Sequence, residues 1–501
     1  MIDCDVLICG FGPVAQLLAL MLGDRGISTI VVERADEPYP LPRAAVIDDE
    51  VLRIFQGVGL DREVLADAQV QPGASIITAD GRAVEVFRSR VGRLGHPPLV
   101  SINQPSMERT LIAALEERST VDVRWGTTLE VVDRHADRVD AYVRPTGGGR
   151  TERVTARWLV GCDGGTSAVR ARMEIPFEGR TAPQRWIVTD VLVDRPLRKV
   201  PHPHFVGSRE RPSVMVPMSP GRHRWEWMLH PGEDPAPFLT SASVRERILP
   251  WLDGEDIEIE RAVVYTFHTR TAARWRRGRV LLAGDAAHLT PPFAGQGFSS
   301  GARDAANLAW KLEEVLHGAP DALLDTYEQE RRPHVAAMQR TANTMGAFVQ
   351  ATHPRTIRAR DLLLRAMDGT RIQDLVATNV KPLPAYRDGA FASRPARLPW
   401  RRSVGALFPQ TDRLDDELPR GWAAVAIDDV ARELLEEAGL TVVDPGPDAA
   451  WLQSHDASWA LLRPDRFVFG CGGVDAIAPT LRAWQMQHGL MLWACLLVMS
   501  W

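Results

Sequence analysis

The sequence predicts an α/β fold in which a parallel-sheet domain is interrupted by an antiparallel sheet and followed by a small C-terminal α/β unit. Three observations carry this. A buried strand, a glycine turn and a helix follow one another in "DVLICGFGPVAQLLALMLG"; the apolar period becomes two between about Ala182 and Thr269; and a proline-rich stretch near 381–400 precedes further short apolar segments.

The run from Val6 to Cys9 has the length and composition of a buried parallel strand, and Gly10, Gly12 and Ala15 fall where that strand must turn tightly into a helix. Gly10 can make the turn. Gly12 lets backbone amides approach a pyrophosphate at the positive end of the helix, and a small residue at 15 lets helix pack on strand. The next strand, "ISTIVVE", ends on Glu33, followed by Arg34, about 20 residues beyond the glycines, where a carboxylate can accept from both hydroxyls of an adenosine ribose. A loop with three prolines follows, then acids at Asp48 to Glu50 that mark a helix start, and a second helix from Gln104. Short strands ("VDVRW", "LEVVDR", "VDAYVR") lead to "RWLVGCDGGTSAVR", a return to strand, turn and helix. After the period-two segments, "GRVLLAG" runs into a helix beginning near Gly297, with further helices to about Met367. The expected organisation is 1–181 and 275–380 as two parts of one nucleotide-binding domain, 182–274 as an inserted sheet domain, 381–400 as a linker and 401–501 as the C-terminal unit.

Composition excludes several classes. The 501 residues carry a net charge of -5, and only Lys199, Lys311 and Lys381 are lysines among 59 basic residues, so no basic field favours nucleic acid. Cys4, Cys9, Cys162, Cys471 and Cys495 are scattered without a CxxC pair, which suits a reducing cytoplasm. The N-terminus lacks a basic leader before its apolar segment, and the terminal "LMLWACLLVM" is about half the ~20 residues of a membrane span. A core-capping helix is the expected role of that tail, with a membrane-surface contact or an altered reading frame as the alternatives. No HExxH, clustered Cys/His set or Ser-His-Asp elbow is present, so neither a metal site nor a nucleophilic triad is expected.

Two further strand-end acids, Asp163 in "GCDGG" and Asp285 in "LLAGDAAH", lie on either side of the period-two segment. Three strand-end sites spread over the chain suit a ligand longer than one βαβ unit covers, and a flavin dinucleotide has that length.

These segments, with "PRAAVIDDEVLR", "PFEGRTAPQRWIVTDV", "RVLLAGDAAHLTPPFAGQGFSSGARDAANLAWKL", "LLDTYEQERRPH" and "LLRPDRFV", resemble the single-component flavoprotein aromatic hydroxylases of the para-hydroxybenzoate hydroxylase fold, most nearly the 3-(3-hydroxyphenyl)propionate hydroxylases. The likeness spans nearly the whole chain. It implies a Rossmann-like FAD-binding domain, an inserted substrate-binding sheet and a thioredoxin-like C-terminal unit, here with Cys471 and no CxxC pair, for which a structural or oligomer-forming role is expected. It further implies non-covalent FAD, with Glu33 on the adenosine ribose, Gly12 and Arg43 at the pyrophosphate, Gln104 at the linker, Asp285 at the ribityl chain, and the amides of Gly297 and Phe298 at the flavin ring. Asp163 belongs to the motif linked with FAD and the nicotinamide donor. Ser299 stands where many relatives have asparagine.

The implied reaction consumes NADH or NADPH and O2 and hydroxylates a phenol by way of a flavin C4a-hydroperoxide. The first candidate substrate is 3-(3-hydroxyphenyl)propionate, giving a catechol. A hydroxylase of polycyclic phenols or quinones is the rival, and a non-oxygenating flavin reductase or redox scaffold the alternative from another class. A homodimer is the candidate assembly. For catalysis Asp48, His288 and Pro292 are the candidates, the last through its backbone. Trp186, Trp225, Trp227 and Tyr265 are core or ring-pocket residues, His202 and His204 are loop or phenol-binding residues, and Arg185, Arg209, Arg211, Arg222 or Arg224 could meet a carboxylate.

Overall fold

The computed structural model describes residues 1–378, 385–396 and 402–488. Parallel strands lie in the order Val280–Leu282, Glu152–Gly161, Cys4–Cys9, Thr29–Val32 and Val121–Arg124, and the strand Val139–Pro145 extends Glu152–Gly161 as an antiparallel meander. Cys9 lies opposite Gly161 and Val32, and Gly161 lies opposite Leu282. The strands therefore end level, and the turns at Gly10, Asp163 and Asp285 open on one carboxyl edge, where open α/β sheets bind ligands.

Two helices start at that edge. Pro13 opens the helix Pro13–Gly23 with Gly12 as its cap residue; its fixed φ and missing N–H suit the first turn. The 21-residue helix Gln296–Leu316 begins after Gly295, which adopts φ 62°. It crosses the first helix so closely that a methyl on Gly301 would collide with Val14. Both helices bury their apolar faces in the principal core, with Trp158, Trp275, Trp310 and Tyr327 among its largest members.

The second sheet packs over the carboxyl edge. Its long central pair, Phe177–Val193 and Ile257–Ala272, is antiparallel, flanked by Arg222–Met228 and Ser213–Pro217 on one side. The boundary expected at 181 does not contain this sheet, because Phe205 pairs with Ile76 and so draws the hairpin Gly73–Ile77 and Ala83–Arg88 into it from the N-terminal segment. Local sequence pattern could not reveal that pairing.

The C-terminal unit runs strand, helix, strand, helix, strand, strand, helix, with sheet order Thr441–Val443, Ala423–Ala426, Trp459–Leu462, Val468–Gly472. This is the thioredoxin-like arrangement. Burial raises the Cys471 thiol, so it has no activated nucleophile. The described part of the expected linker is packed: Tyr386 stacks on Phe467 at 4.2 Å, and Ala390 is fully buried. The apolar tail at 490–499 lies outside the described residues. Among the described residues no helix is long and apolar enough to cross a membrane, and no group of side chains could hold a metal ion.

Candidate active site

One cavity of about 1510 Å3 runs from Glu33 and Arg34, past Gly10 to Gly12, Arg43, Gln104, Asp163 and Asp285, to a second end lined by Val214, Glu226, Tyr265 and Phe293. That exceeds the ~300–1,000 Å3 of a pocket for one drug-sized ligand. It has room for a dinucleotide and a further ring.

At the first end, Glu33 is held by backbone amides: Phe11 N donates to one carboxylate oxygen at 2.8 Å and Ala35 N to the other at 2.9 Å. A Cβ on Gly12 would meet no protein atom within 4 Å, so the backbone there is open to a bulky anion at the helix N-terminus. Ala15 is fully buried beneath the turn and contributes packing, not contact. Arg43 lines the cavity with its guanidinium over the Tyr39 ring, 4.3 Å from the centroid. Gln104 accepts from Arg43 N and Ala44 N at 3.1 and 2.6 Å and donates to Glu108, so it orders the loop carrying Arg43 as well as facing the cavity.

Asp163 shapes its own turn: Ser167 Oγ and Val169 N donate to it at 2.5 and 3.0 Å. Asp285 is exposed and lines the cavity, and desolvation by the protein around it raises its pKa, opposed by His288 and Arg43. A carboxyl so placed gains from hydrogen-bond donors such as ribityl hydroxyls. Gly297 and Phe298 lie in the first turn of a long helix with no acid there, and a Cβ on Gly297 would also enter open space. Pro292 lines the same wall. Donor amides at a helix start, a cavity-facing carboxyl and a glycine-floored entry together fit FAD.

The helix start is held by Asp48 and Glu50 together with Gln296 and Arg303, the two that the sequence reading missed. Asp48 accepts from Val51 N as a helix cap, and its other oxygen accepts from Gln296 Nε2 at 3.0 Å and Arg303 Nη2 at 2.7 Å. Arg303 also donates to Gln296 Oε1 and Glu50 Oε2. Asp48 therefore ties two helix starts together, and we assign it positioning, not proton transfer. Arg303 stands in its helix among Ser299, Ser300, Ala306 and Asn307, and no local pattern marked it as a partner of Asp48.

Other candidates fall away from the cavity. His288 is buried with Nε2 2.6 Å from Asp304, which also accepts from Gly284 N and Arg331; burial would raise Asp304, but His288 and Arg331 outweigh it and lower its pKa. The imidazole is thus a core group and not a cavity one. Trp186 packs with Phe267 and Phe293 below the wall, Trp225 and Trp227 face the opposite core, and Tyr265 alone of the four lines the cavity. His202 bonds Ser75 and His204 meets the His202 ring edge-on, leaving Pro203 as the lining residue. Arg185 donates to Glu233 O, Arg211 pairs with Glu233 and Arg222 with Glu260, while Arg209 is exposed elsewhere. Arg224 does line the cavity, but it is held by Asp190 and by the carbonyl oxygens of Pro42 and Arg43. Ser299 is fully buried and away from the lining.

These placements separate two substitutions. Asp285→Asn is expected to weaken FAD retention roughly tenfold or more, the loss of one charged-acceptor hydrogen bond. His288→Leu is expected to cost about 1–3 kcal/mol of stability with FAD stoichiometry unchanged. Flavin content and chemical unfolding measure both; flavin loss in His288→Leu at unchanged stability would put the imidazole at the cofactor.

Residues 3–342 match the family model described as FAD binding domain. Over 93% of its length the chain is 36% identical to the 3-(3-hydroxy-phenyl)propionate/3-hydroxycinnamic acid hydroxylase of Mycobacterium avium (strain 104), covering 89% of that protein. The chain belongs to the family of FAD-dependent aromatic hydroxylases. The hydroxylase of that same description from Escherichia coli O8 (strain IAI1) is 33% identical, with 95% of this chain and 93% of the relative covered. Among solved structures, the flavin-dependent monooxygenase PieE in complex with FAD and substrate shares the fold at TM-score 0.80 and 22% identity, over 98% of this chain and all of that one. A ternary complex of aklavinone-11 hydroxylase with FAD and aklavinone does so at TM-score 0.77 and 23% identity, over 98% and 99% of the two chains.

The enzyme is a flavoprotein monooxygenase. When bound, FAD supplies the redox chemistry, accepting reducing equivalents and activating dioxygen. The chain's own part is physical: with FAD bound, Glu33 and the Gly12 turn would hold the adenosine half, the start of helix Gln296–Leu316 would offer amides to a developing negative charge, and the apolar second end would exclude water.

Proposed function

We propose that the hydroxylase acts on a small phenolic acid, with 3-(3-hydroxyphenyl)propionate as the first candidate, inserting oxygen ortho to the hydroxyl to give a catechol, with NADH or NADPH as electron donor. The observation that carries this is the 33–36% identity, over more than nine-tenths of the chain, to curated hydroxylases of that description. The cavity supports a small aromatic ring: Val214, Val216, Phe205, Phe267, Phe293 and Met345 line its second end. For the carboxylate, Arg90 and Arg93 replace the cations first considered. Both line the cavity, and neither has an ion pair among the described residues. We also place the enzyme in the cytoplasm, a reading supported by the free thiols of Cys4, Cys9, Cys162 and Cys471.

Substrate-dependent NAD(P)H oxidation tests the proposal. 3-(3-Hydroxyphenyl)propionate is expected to accelerate it with one oxygen atom gained by the product, and Arg93→Ala to raise KM about tenfold with a smaller change in kcat. If that acid neither binds nor accelerates oxidation while an uncharged polycyclic phenol does both, the tailoring-type reading replaces this one.

A further inference from the structure

The sheet above the cavity presents its inward face in cross-strand rows, set by register. One row is Val216, Arg224, Asp190 and Arg261; the next is Val214, Glu226, Val188 and Val263; the third places Met228 beside Trp186 and Tyr265. The first row is a closed ion cluster, since Asp190 accepts from Arg224 and pairs with Arg261. The third row is aromatic. Between them Glu226 stands alone among three valines.

Glu226 is 8% exposed, and its remaining exposure opens into the cavity it lines. It has no hydrogen-bond or ion-pair partner among the described residues. Arg224, two positions along the same strand, spends its donors on Asp190 and on the carbonyl oxygens of Pro42 and Arg43. A buried carboxyl without a partner is costly, and native folds rarely keep one. An apolar side chain would fill the same row, as valine does at the three neighbouring positions. The missing partner is therefore supplied by what enters the cavity.

We infer that Glu226 is the specificity-determining contact for the substrate's ring hydroxyl, accepting its hydrogen bond and orienting the ring against the apolar wall. This rests on the phenolic-substrate reading above and deepens it. A carboxylate of the substrate is repelled from this end, so a phenolic acid enters with its hydroxyl toward the sheet and its carboxylate toward the Arg90–Arg93 segment.

The test compares ligands that differ by the hydroxyl alone. The FAD-loaded enzyme is titrated with 3-(3-hydroxyphenyl)propionate and with 3-phenylpropionate, binding being followed by perturbation of the flavin spectrum. Wild type is expected to favour the phenol by roughly tenfold or more, the weight of a hydrogen bond to a charged group. Glu226→Leu is expected to bring the two dissociation constants together with FAD content unchanged, and Glu226→Gln to reduce the preference several-fold, because a neutral acceptor bonds more weakly. Should Glu226→Leu fail to fold, Glu226→Gln carries the test. If wild type binds neither acid, the small-acid proposal fails by itself, and the same comparison is made with 1-naphthol and naphthalene. A hydroxyl preference in the variants equal to that of wild type overturns the inference, as does a wild-type enzyme with no preference for the hydroxylated member of either pair.

Discussion

Gly10→Ala is expected to give protein that retains no FAD and unfolds at a temperature lower by several degrees. Gly10 adopts φ 93°, and a Cβ there would stand 2.6 Å from the Cys162 carbonyl oxygen and 2.7 Å from Asp163 Cα. Those are backbone atoms of the neighbouring turn, so no side chain can rotate away. The left-handed conformation alone costs an alanine roughly 1–2 kcal/mol, and relief of the clash must part the strand ends. Cys162 N to Cys9 O and Gly10 N to Val32 O, both 2.8 Å, are the bonds that would yield. Gly12→Ala provides the contrast: its methyl meets no protein atom, so the unfolding temperature should stay while FAD affinity falls. Flavin absorbance and thermal unfolding of both variants decide the matter. A Gly10→Ala protein that melts and binds flavin like wild type would show that the two turns are less tightly joined than their geometry requires.

Glu330→Ala is expected to destabilise the enzyme by about 3–5 kcal/mol, because it removes the counter-charge of buried Lys311 and one of the two that hold buried Arg463, which keeps Asp465. Glu330 is fully buried; Arg463 pairs with both of its oxygens at 2.9 Å, and Lys311 approaches at 3.0 Å. Asn307 and Ala390 N donate to it as well. The cluster joins the helices of the FAD domain to the C-terminal unit, so the loss should loosen that unit first. Burial would raise the Glu330 pKa, but Arg463 and Lys311 outweigh it and hold the carboxyl at about 2. With a folded value below the unfolded ~4.3, the contribution is complete above pH ~4.3 and is lost as pH falls through the folded value. Urea unfolding across that acid range should show the slope in wild type and a shallower one in Glu330→Ala. Equal stability of the two proteins at neutral pH would remove the cluster from the account of how the units are joined.

How much of this was legible in the chain depends on distance along it. The turns at Gly10, Asp163 and Asp285 were visible because strand, turn and helix signals are local and each motif carries all of its own parts. Glu33 was visible for the same reason, being the end of the strand that follows the glycine turn. Asp48 was visible as a helix-start acid and as a candidate for catalysis. Its partners Gln296 and Arg303 lie 248 and 255 residues away, and no local pattern could say that it ties two helices and not a substrate. His288 shows the reverse error: a histidine three residues after a flavin-site acid looked chemical, yet Asp304 and Trp275 enclose it in the core.

By itself the sequence determined the fold class, the cofactor and the family, since apolar periodicity and glycine turns act over short stretches where backbone sterics and hydrogen bonding leave few choices. Alternation along "RHRWEWM" also determined that Arg224, Glu226 and Met228 share one face of a strand. Only the tertiary structure decided that this face looks into the cavity, that Asp190 takes up Arg224 and leaves Glu226 free, and that the hairpin at 73–88 joins the distant sheet. A strand's two faces are equivalent until another layer covers one of them, and a charge is free or spent only by virtue of neighbours brought from elsewhere in the chain.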